Sequence, residues 1–237
     1  MSKVITLPLG FANAFIIRGR GTIMVDTGIH VRKEKYLQLF AAHGIEPHSI
    51  QLLIITHAHA DHFAQAGVVK ELTGAPLVCH KEAARFLRMG DNAPAVPCNE
   101  LGRKALQALG RKLPLPAKPV NPDIIIDSDF DLGTYGIAGR IIVTPGHTDC
   151  SLSVIIDDGQ AIVGDMVVPD FFTRKPSLAY FATDAQALAA SVTKLLSLAH
   201  TFFSSHGGPF SKEVVLQLCT ASGHDCTPES QPAHCQR

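Results

Sequence analysis

Apolar residues recur along this chain in two rhythms, and the switches between them mark its elements. Residues 3–7, 13–18 and 21–26 are short runs rich in Val, Ile and Phe, which predicts three strands with Arg18-Gly19-Arg20-Gly21 turning between the last two. Helical spacing takes over at 31–43, where Val31, Tyr36, Leu37, Leu39 and Phe40 lie among Arg32, Lys33, Glu34 and Lys35 until Gly44. Gln51 to Thr56 is a β-branched apolar run and predicts a buried strand; Phe63 to Leu72 predicts a helix closed by Gly74. A strand at 76–79 and a helix from Lys81 to Met89, stopped by Gly90, complete a strand–helix–strand–helix series. That series is the grammar of a layered α/β domain.

Between 90 and 123 the pattern fades. One short helix is expected from Leu101 to Leu109, and the prolines at 114, 116 and 119 predict an extended connector or flap. A second series begins at Asp123, with strands at 124–126 and 137–143 and a hairpin of 153–156 and 161–163 around Asp157-Asp158-Gly159. Residues 184–199 form the clearest amphipathic helix, with Leu188, Val192, Leu195, Leu196 and Leu198 on one stripe and Thr183 or Asp184 as cap. A strand at 201–203 and a helix at 211–220 follow. The expected organisation is a single domain over 1–220, made of two strand-then-helix halves of 1–120 and 121–220, with a flexible tail at 221–237.

The chemistry concentrates at strand ends. His57-Ala58-His59-Ala60-Asp61-His62 lies where a strand gives way to a helix, a common place for sites in open α/β sheets. In an extended turn His57 and His59 project the same way, whereas Asp61 and His62 are adjacent and diverge. The stretch therefore offers one pair of ligands to one ion and a second pair to another. His147 in Pro-Gly-His-Thr, Asp165 after Gly164, and His206 in Ser-His-Gly-Gly each follow an apolar run by a few residues. Asp26, in Val-Asp-Thr-Gly, ends the third strand; it reads equally as a turn former or as an acid facing a site. Five imidazoles and two carboxylates suit zinc, with iron and manganese as alternatives. Seven ligands are too many for one tetrahedral ion. Two ions roughly 3.5–4 Å apart fit the count, and such a pair lowers the pKa of bound water towards ~7, which makes a bridging hydroxide a nucleophile.

Composition narrows the partners. Among 237 residues, Lys+Arg and Asp+Glu are both 21, so no net charge favours nucleic acid or an anionic membrane. Hydrophobic residues make up 46%, yet no run approaches membrane-spanning length. Met1 to Pro8 carries no long apolar stretch, so a cytoplasmic location is expected. The six cysteines show no CxxC pair and are expected as reduced thiols; those of the tail, with His224 and His234, match no zinc spacing. A small-molecule substrate is the expected partner, and a homodimer is compatible with the composition.

His57-x-His59-x-Asp61-His62, His147, Asp165 and His206, with Asp26 at the first motif, resemble in order the motifs of the metallo-β-lactamase-fold hydrolase superfamily. The likeness covers residues 3–210 and is strongest to the glyoxalase-II-like dinuclear branch. It implies an αββα sandwich with the site at one edge. It implies His57, His59 and His147 on a first metal, Asp61, His62 and His206 on a second, Asp165 bridging, and Asp26 orienting imidazoles from behind. Asp61 and His206 become the catalytic candidates, although Asp61 also reads as a helix cap or as a proton acceptor. The implied reaction is hydroxide attack on an ester, thioester or lactone carbonyl.

Departures within the family sharpen this. Lactam-cleaving members lack a bridging aspartate like Asp165, and flavodiiron members carry Glu where this chain has His59. Sulfur dioxygenase members use one iron and fewer ligands, yet a mononuclear or di-iron redox enzyme is the alternative reading, with β-lactamase below it. The glutathione-specific members have a C-terminal helical domain, and only a short stretch follows Pro209, so glutathione recognition is not expected. Lactonase members carry Tyr three residues past the bridging aspartate, where this chain has Val168. Tyr180 is the candidate replacement, and Lys175 and Phe172 are further candidate substrate contacts, with Arg174 beside them.

Overall fold

Successive residues of each strand enter different apolar layers, because strand side chains alternate between faces. Phe15, Ile17, Ile23, Val25, Leu52, Ile54 and Val78 of one sheet meet Ile141, Leu152, Val154, Ile156 and Ile162 of another. Their neighbours Ile16, Met24, Leu53 and Leu77 face away and pack with Tyr36, Phe40, Val69 and Leu87 from helices. On the other side, Ile142, Ile155 and Ala161 pack with Leu188, Val192, Leu195, Leu196 and Val215. Helix, sheet, sheet and helix thus stack in four layers, the expected αββα sandwich. The structure is a computed structural model that describes residues 2–109, 117–170 and 173–221. The prolines at 114 and 116, Phe172 and the tail from 222 lie outside those residues.

The first sheet runs in sequence order: β1 (Lys3–Pro8), β2 (Asn13–Arg18), β3 (Thr22–Val25), β4 (Ile50–Ile54), β5 (Leu77–His80) and β6 (Ile124–Ile126). β1 to β3 are antiparallel and β3 to β6 are parallel. Helices α1 (Lys33–Ala42), α2 (Ala60–Phe63), α3 (Ala66–Thr73) and α4 (Lys81–Met89) make the parallel connections, and α5 (Glu100–Leu109) follows. β6 lies past residue 120 yet completes this sheet beside β5. The second sheet contains β7 (Phe130–Asp131), β8 (Gly139–Val143), β9 (Leu152–Ile156), β10 (Gln160–Ile162), β13 (Thr201–Ser204) and β14 (Gly207–Ser211), in the order β14-β13-β10-β9-β8-β7. β11 (Val167–Pro169) and β12 (Pro176–Leu178) form a small ribbon, and α6 (Ala185–Leu198) and α7 (Lys212–Ala221) cover the outer face.

Helix ends follow their expected chemistry. Gly74 and Gly90 close α3 and α4 in the left-handed conformation that glycine adopts without steric cost. Asp184, not Thr183, caps α6, accepting from the amides of Gln186 and Ala187.

Three features depart from the sequence expectation. The helix expected from Phe63 to Leu72 is two helices, broken at Ala64–Gln65. The His62 carbonyl accepts both the amide and the hydroxyl of Thr27, at 2.7 and 2.8 Å, and so is withdrawn from the helical ladder. The strand expected from Ile137 begins at Gly139, after a 3-10 turn over Gly133–Tyr135. β7, β11, β12 and β14 were not expected, being two to five residues long or interrupted by Pro and Gly. Among the described residues no disulfide links any two of Cys79, Cys98, Cys150 and Cys219. No described helix is long and apolar enough to cross a membrane.

Ile156, 1% exposed between the sheets and remote from the strand ends that carry ligands, tests the layer assignment. Ile156→Ala is expected to cost about 2–5 kcal/mol in urea unfolding. Ile125→Ala, at a residue 45% exposed on edge strand β6, is expected to stay within about 0.5 kcal/mol.

Candidate metal centre

Four turns, from both sheets, meet at one edge of the sandwich. His57 and His59 follow β4, and α2 then presents Asp61 and His62. His147 follows β8, Asp165 follows β10, and His206 lies between β13 and β14. Backbone bonds tie these turns together: across the sheets, Leu152 N–H to the Thr56 carbonyl at 2.8 Å and Asn13 N–H to the Ser205 carbonyl at 2.6 Å, and within the second sheet's edge, Ser205 N–H to the Gly164 carbonyl at 3.1 Å. The His147 turn lies so tightly on the start of α6 that a Cβ at Gly146 would sit 2.2 Å from the Leu188 amide nitrogen. Only glycine fits there. The start of α2 is held by Asn92, whose side-chain oxygen accepts from the Ala60 amide at 2.8 Å. His59 occupies the N-cap position of α2. Asp61 is therefore not a helix cap, and its carboxylate is free to face the imidazoles.

The donor atoms form two sets. His57 Nε2, His59 Nδ1 and His147 Nε2 make a triangle with sides of 3.1, 3.1 and 3.2 Å. Asp165 Oδ2 lies 3.9 Å from His57 Nε2 and 3.8 Å from His147 Nε2. In the second set, His206 Nε2 is 3.2 Å from both Asp61 Oδ2 and Asp165 Oδ2. His62 Nε2 is 3.4 Å from the same two oxygens. Asp165 belongs to both sets.

The far side of each ring decides what its near side can do. His62 Nδ1 donates to Asp26 Oδ2 at 2.8 Å. His147 Nδ1 donates to the Phe181 carbonyl at 2.8 Å, and His206 Nδ1 to the Phe11 carbonyl at 3.0 Å. Carbonyl oxygens only accept, so these rings carry their proton on Nδ1 and aim the Nε2 lone pair inward. Asp26 reaches His57 through a relay. The Thr56 hydroxyl donates to Asp26 Oδ2 at 2.7 Å and so accepts from His57 Nδ1 at 3.1 Å. The Thr56 amide donates to Asp26 Oδ1 at 2.8 Å. Asp26 is fully buried, with φ of 58°, and Tyr36 fixes the next residue by donating to the Thr27 carbonyl. Of the two sequence readings of Asp26, the structure shows the acid behind the imidazoles.

Electrostatics differ between the sets. Burial lowers His57 well below its ordinary value, with His62, His147 and His59 adding to the effect. Burial lowers His59 to about 4 and also lowers His147. These three rings are neutral ligands in waiting. Burial also opposes the charged form of His206, but Asp165 and Asp61 outweigh it and hold that ring up at about 10. His62 is raised in the same way by Asp165, Asp61 and Asp26 against its burial. Burial works against the carboxylates of Asp61 and Asp165, yet His62 and His206 hold both well below the usual range.

The residues fit metal ions. His62 Nε2, a donor atom of the second set, and Asp165 Oδ1 are buried without a hydrogen-bond partner, which is costly unless something else binds there. A tetrahedral ion with bonds of ~2.0–2.1 Å to imidazole nitrogen holds its donors about 3.3–3.4 Å apart, close to the spacing within both sets. Imidazole and carboxylate donors suit a divalent ion of the zinc, iron or manganese type.

The candidate substrate residues are placed differently. Tyr180 is buried and its hydroxyl donates to Asp170 at 2.8 Å, while its carbonyl accepts from the Cys98 amide. Lys175 and Arg174 are exposed, and Phe172 lies outside the described residues. Thr56 and Asn92, through side chains, and Phe11 and Phe181, through carbonyls, have structural roles the sequence reading missed; backbone acceptors carry no residue identity. Thr56 alone was within reach, as the hydroxyl immediately before His57.

Comparison with known proteins gives the family and the fold. A sequence profile described as the metallo-beta-lactamase superfamily matches residues 7–206. A probable metallo-hydrolase of Methanocaldococcus jannaschii is 29% identical over 156 residues, which span 66% of this chain and 67% of that one. Two further curated relatives are longer, and this chain spans 31% of each. Among solved structures, the BLEG-1 B3 metallo-beta-lactamase is 20% identical with a TM-score of 0.68, over 91% of this chain and 97% of that one. TTHA1623, in a di-iron-bound form, is 24% identical with a TM-score of 0.61, over 96% and 99%. These two structures share the fold.

Two measurements follow from the geometry. Asp26→Asn keeps the shape but replaces one acceptor oxygen with an NH2 donor, so the Thr56 amide, the Thr56 hydroxyl and the His62 ring can no longer all be accepted; chelator competition is expected to show ~10–100-fold weaker metal binding. Protons held on His62 and His206 compete with a metal for the second set, so its affinity should rise from pH 6 to pH 8. The expected slope is about tenfold per pH unit for each proton displaced, and the already neutral first set should respond much less.

Proposed function

The chain belongs to the metallo-beta-lactamase superfamily, and on that premise we propose that it is a metal-dependent hydrolase acting on a small ester, thioester or lactone. The observation that carries the reading is the pair of donor sets sharing Asp165, with the remote nitrogens of His57, His62, His147 and His206 held by acceptors that leave each lone pair facing inward. His57, His59 and His147 would hold one divalent ion and Asp61, His62 and His206 the other, with Asp165 between them. Zinc suits these donors best; iron is supported by the di-iron form of a structural relative. Ions bound there would polarise a carbonyl oxygen and activate water as a nucleophile at neutral pH.

The chain's own residues set the rest. His57, His62 and His147 are at most 3% exposed, so water is excluded from the deep side. The His206 side chain is 20% exposed and stands beside Phe11, itself 54% exposed, so substrate approaches from the β1–β2 loop. Asp61 and Asp165 stay ionised in this setting, because His62 and His206 hold their pKa values down. Asp61, 3.2 Å from His206 Nε2, is the candidate to take a proton from an attacking water.

A redox reading on the same cage is the alternative, and the same relative motivates it. Metal-quantified protein assayed on an ester, thioester and lactone panel, with and without oxygen, separates the two. Hydrolysis independent of oxygen is expected, and Asp165→Asn and His59→Ala should each lose at least ~100-fold in kcat/KM. Full hydrolytic rate in both variants would show the two-metal reading to be wrong.

A further inference from the structure

We infer that the hollow between the β1–β2 loop and the start of α1 receives an anionic group, carboxylate or phosphate, at the far end of the substrate; this rests on the hydrolase reading. The hollow has a volume of about 490 Å³ and is lined by Leu9, Gly10, His30, Val31, Arg32 and Lys35, with Pro8 beside them. Leu9 and Val31 are buried and form its apolar floor. His30, Arg32 and Lys35 are exposed at its rim, and no acidic residue lines it. Among the described residues none of these three side chains makes a hydrogen bond or ion pair, whereas the neighbouring Lys33 is paired with Glu71 at 3.3 Å. Two cations and an imidazole thus face the hollow with no acid on its lining to balance them. An Arg fork matches the two oxygens of a carboxylate or phosphate, and Lys adds a point charge.

The two loops that wall the hollow both lead to the metal centre. Gly10 is followed by Phe11, whose carbonyl holds His206 Nδ1 at 3.0 Å and whose ring stands edge-on to the His206 ring, 5.2 Å between centroids. His30 comes three residues after Thr27, whose amide and hydroxyl hold the His62 carbonyl. Both loops that wall the hollow therefore continue into contact with ligands of the second set. A substrate with its reacting carbonyl at that set can run along Phe11 and place its distal charge between Arg32 and Lys35. Binding energy gathered there, away from the reacting bond, selects for anionic substrates.

The test compares wild-type protein with R32E/K35E and with R32K/K35R, all metal-loaded. The kinetic probes are 4-nitrophenyl acetate and the anionic mono-4-nitrophenyl succinate. Calorimetry with succinate and with inorganic phosphate gives a readout independent of turnover and tells carboxylate from phosphate recognition. The preference for the succinate ester over the acetate ester, as a ratio of kcat/KM, should fall at least tenfold in R32E/K35E, mainly through KM. It should be largely retained in R32K/K35R. Binding of at least one of the two anions should weaken at least fivefold in R32E/K35E. Unchanged preference together with unchanged binding of both anions would overturn the inference. If neither ester is turned over but the calorimetric difference persists, the anion site stands and the hydrolase reading falls.

Discussion

A carboxylate sealed from water is tolerated only when its lone pairs are occupied, and Asp26 occupies its own with the parts that make the metal centre. One oxygen takes the Thr56 amide; the other takes the Thr56 hydroxyl and the His62 ring. The same contacts fix the start of the His57 turn, the tautomer of His62 and, through the Thr56 hydroxyl, the tautomer of His57. Asp26 itself is held in a conformation that non-glycine residues rarely adopt, with φ of 58°. The surrounding network supports it: Asp26 N–H bonds the Ile54 carbonyl, and Tyr36 anchors Thr27, which in turn anchors His62. A ligand in each set thus depends on one buried acid at the end of β3.

The sandwich explains why such a centre can be built from distant residues. β4 delivers its ligands from the first sheet, and β8, β10 and β13 deliver theirs from the second. The strand interiors carry the stability, in three apolar layers, and leave the ends free for polar chemistry. The break between α2 and α3 belongs to the same logic. The His62 carbonyl serves Thr27 and is lost to the helix, so a regular element is interrupted to hold a ligand in place. The two ligand sets then differ by surroundings more than by residue type. Desolvation keeps the three imidazoles of the first neutral, while two carboxylates draw positive charge to the second.

Much of this was legible in the sequence. Short apolar runs such as Thr22 to Val25 and Ser153 to Ile156 became strands buried on both faces, and Gly74, Gly90 and Asp184 ended or began helices for the reasons their chemistry predicts. The seven donor residues stand together because each follows a strand that ends at the same edge. What the sequence left hidden has physical causes. β11, β12 and β14 contain Pro or Gly and hold together by tertiary pairing, which local propensity does not encode. Phe11 and Phe181 act through backbone carbonyls, so their side chains advertise nothing. The hollow beside α1 arises because the β1–β2 loop and the β3–α1 loop are neighbours in space while Gly10 and His30 are far apart in the chain.

The central claim is that two ions occupy two donor sets and share Asp165. Anomalous diffraction from crystals of the metal-loaded protein, recorded on both sides of the metal's absorption edge, tests it most directly. The account predicts two peaks, one within reach of His57, His59 and His147 and one within reach of Asp61, His62 and His206, with Asp165 between them. A single peak at full loading, or a pair of peaks that leaves Asp165 uncoordinated, would contradict it.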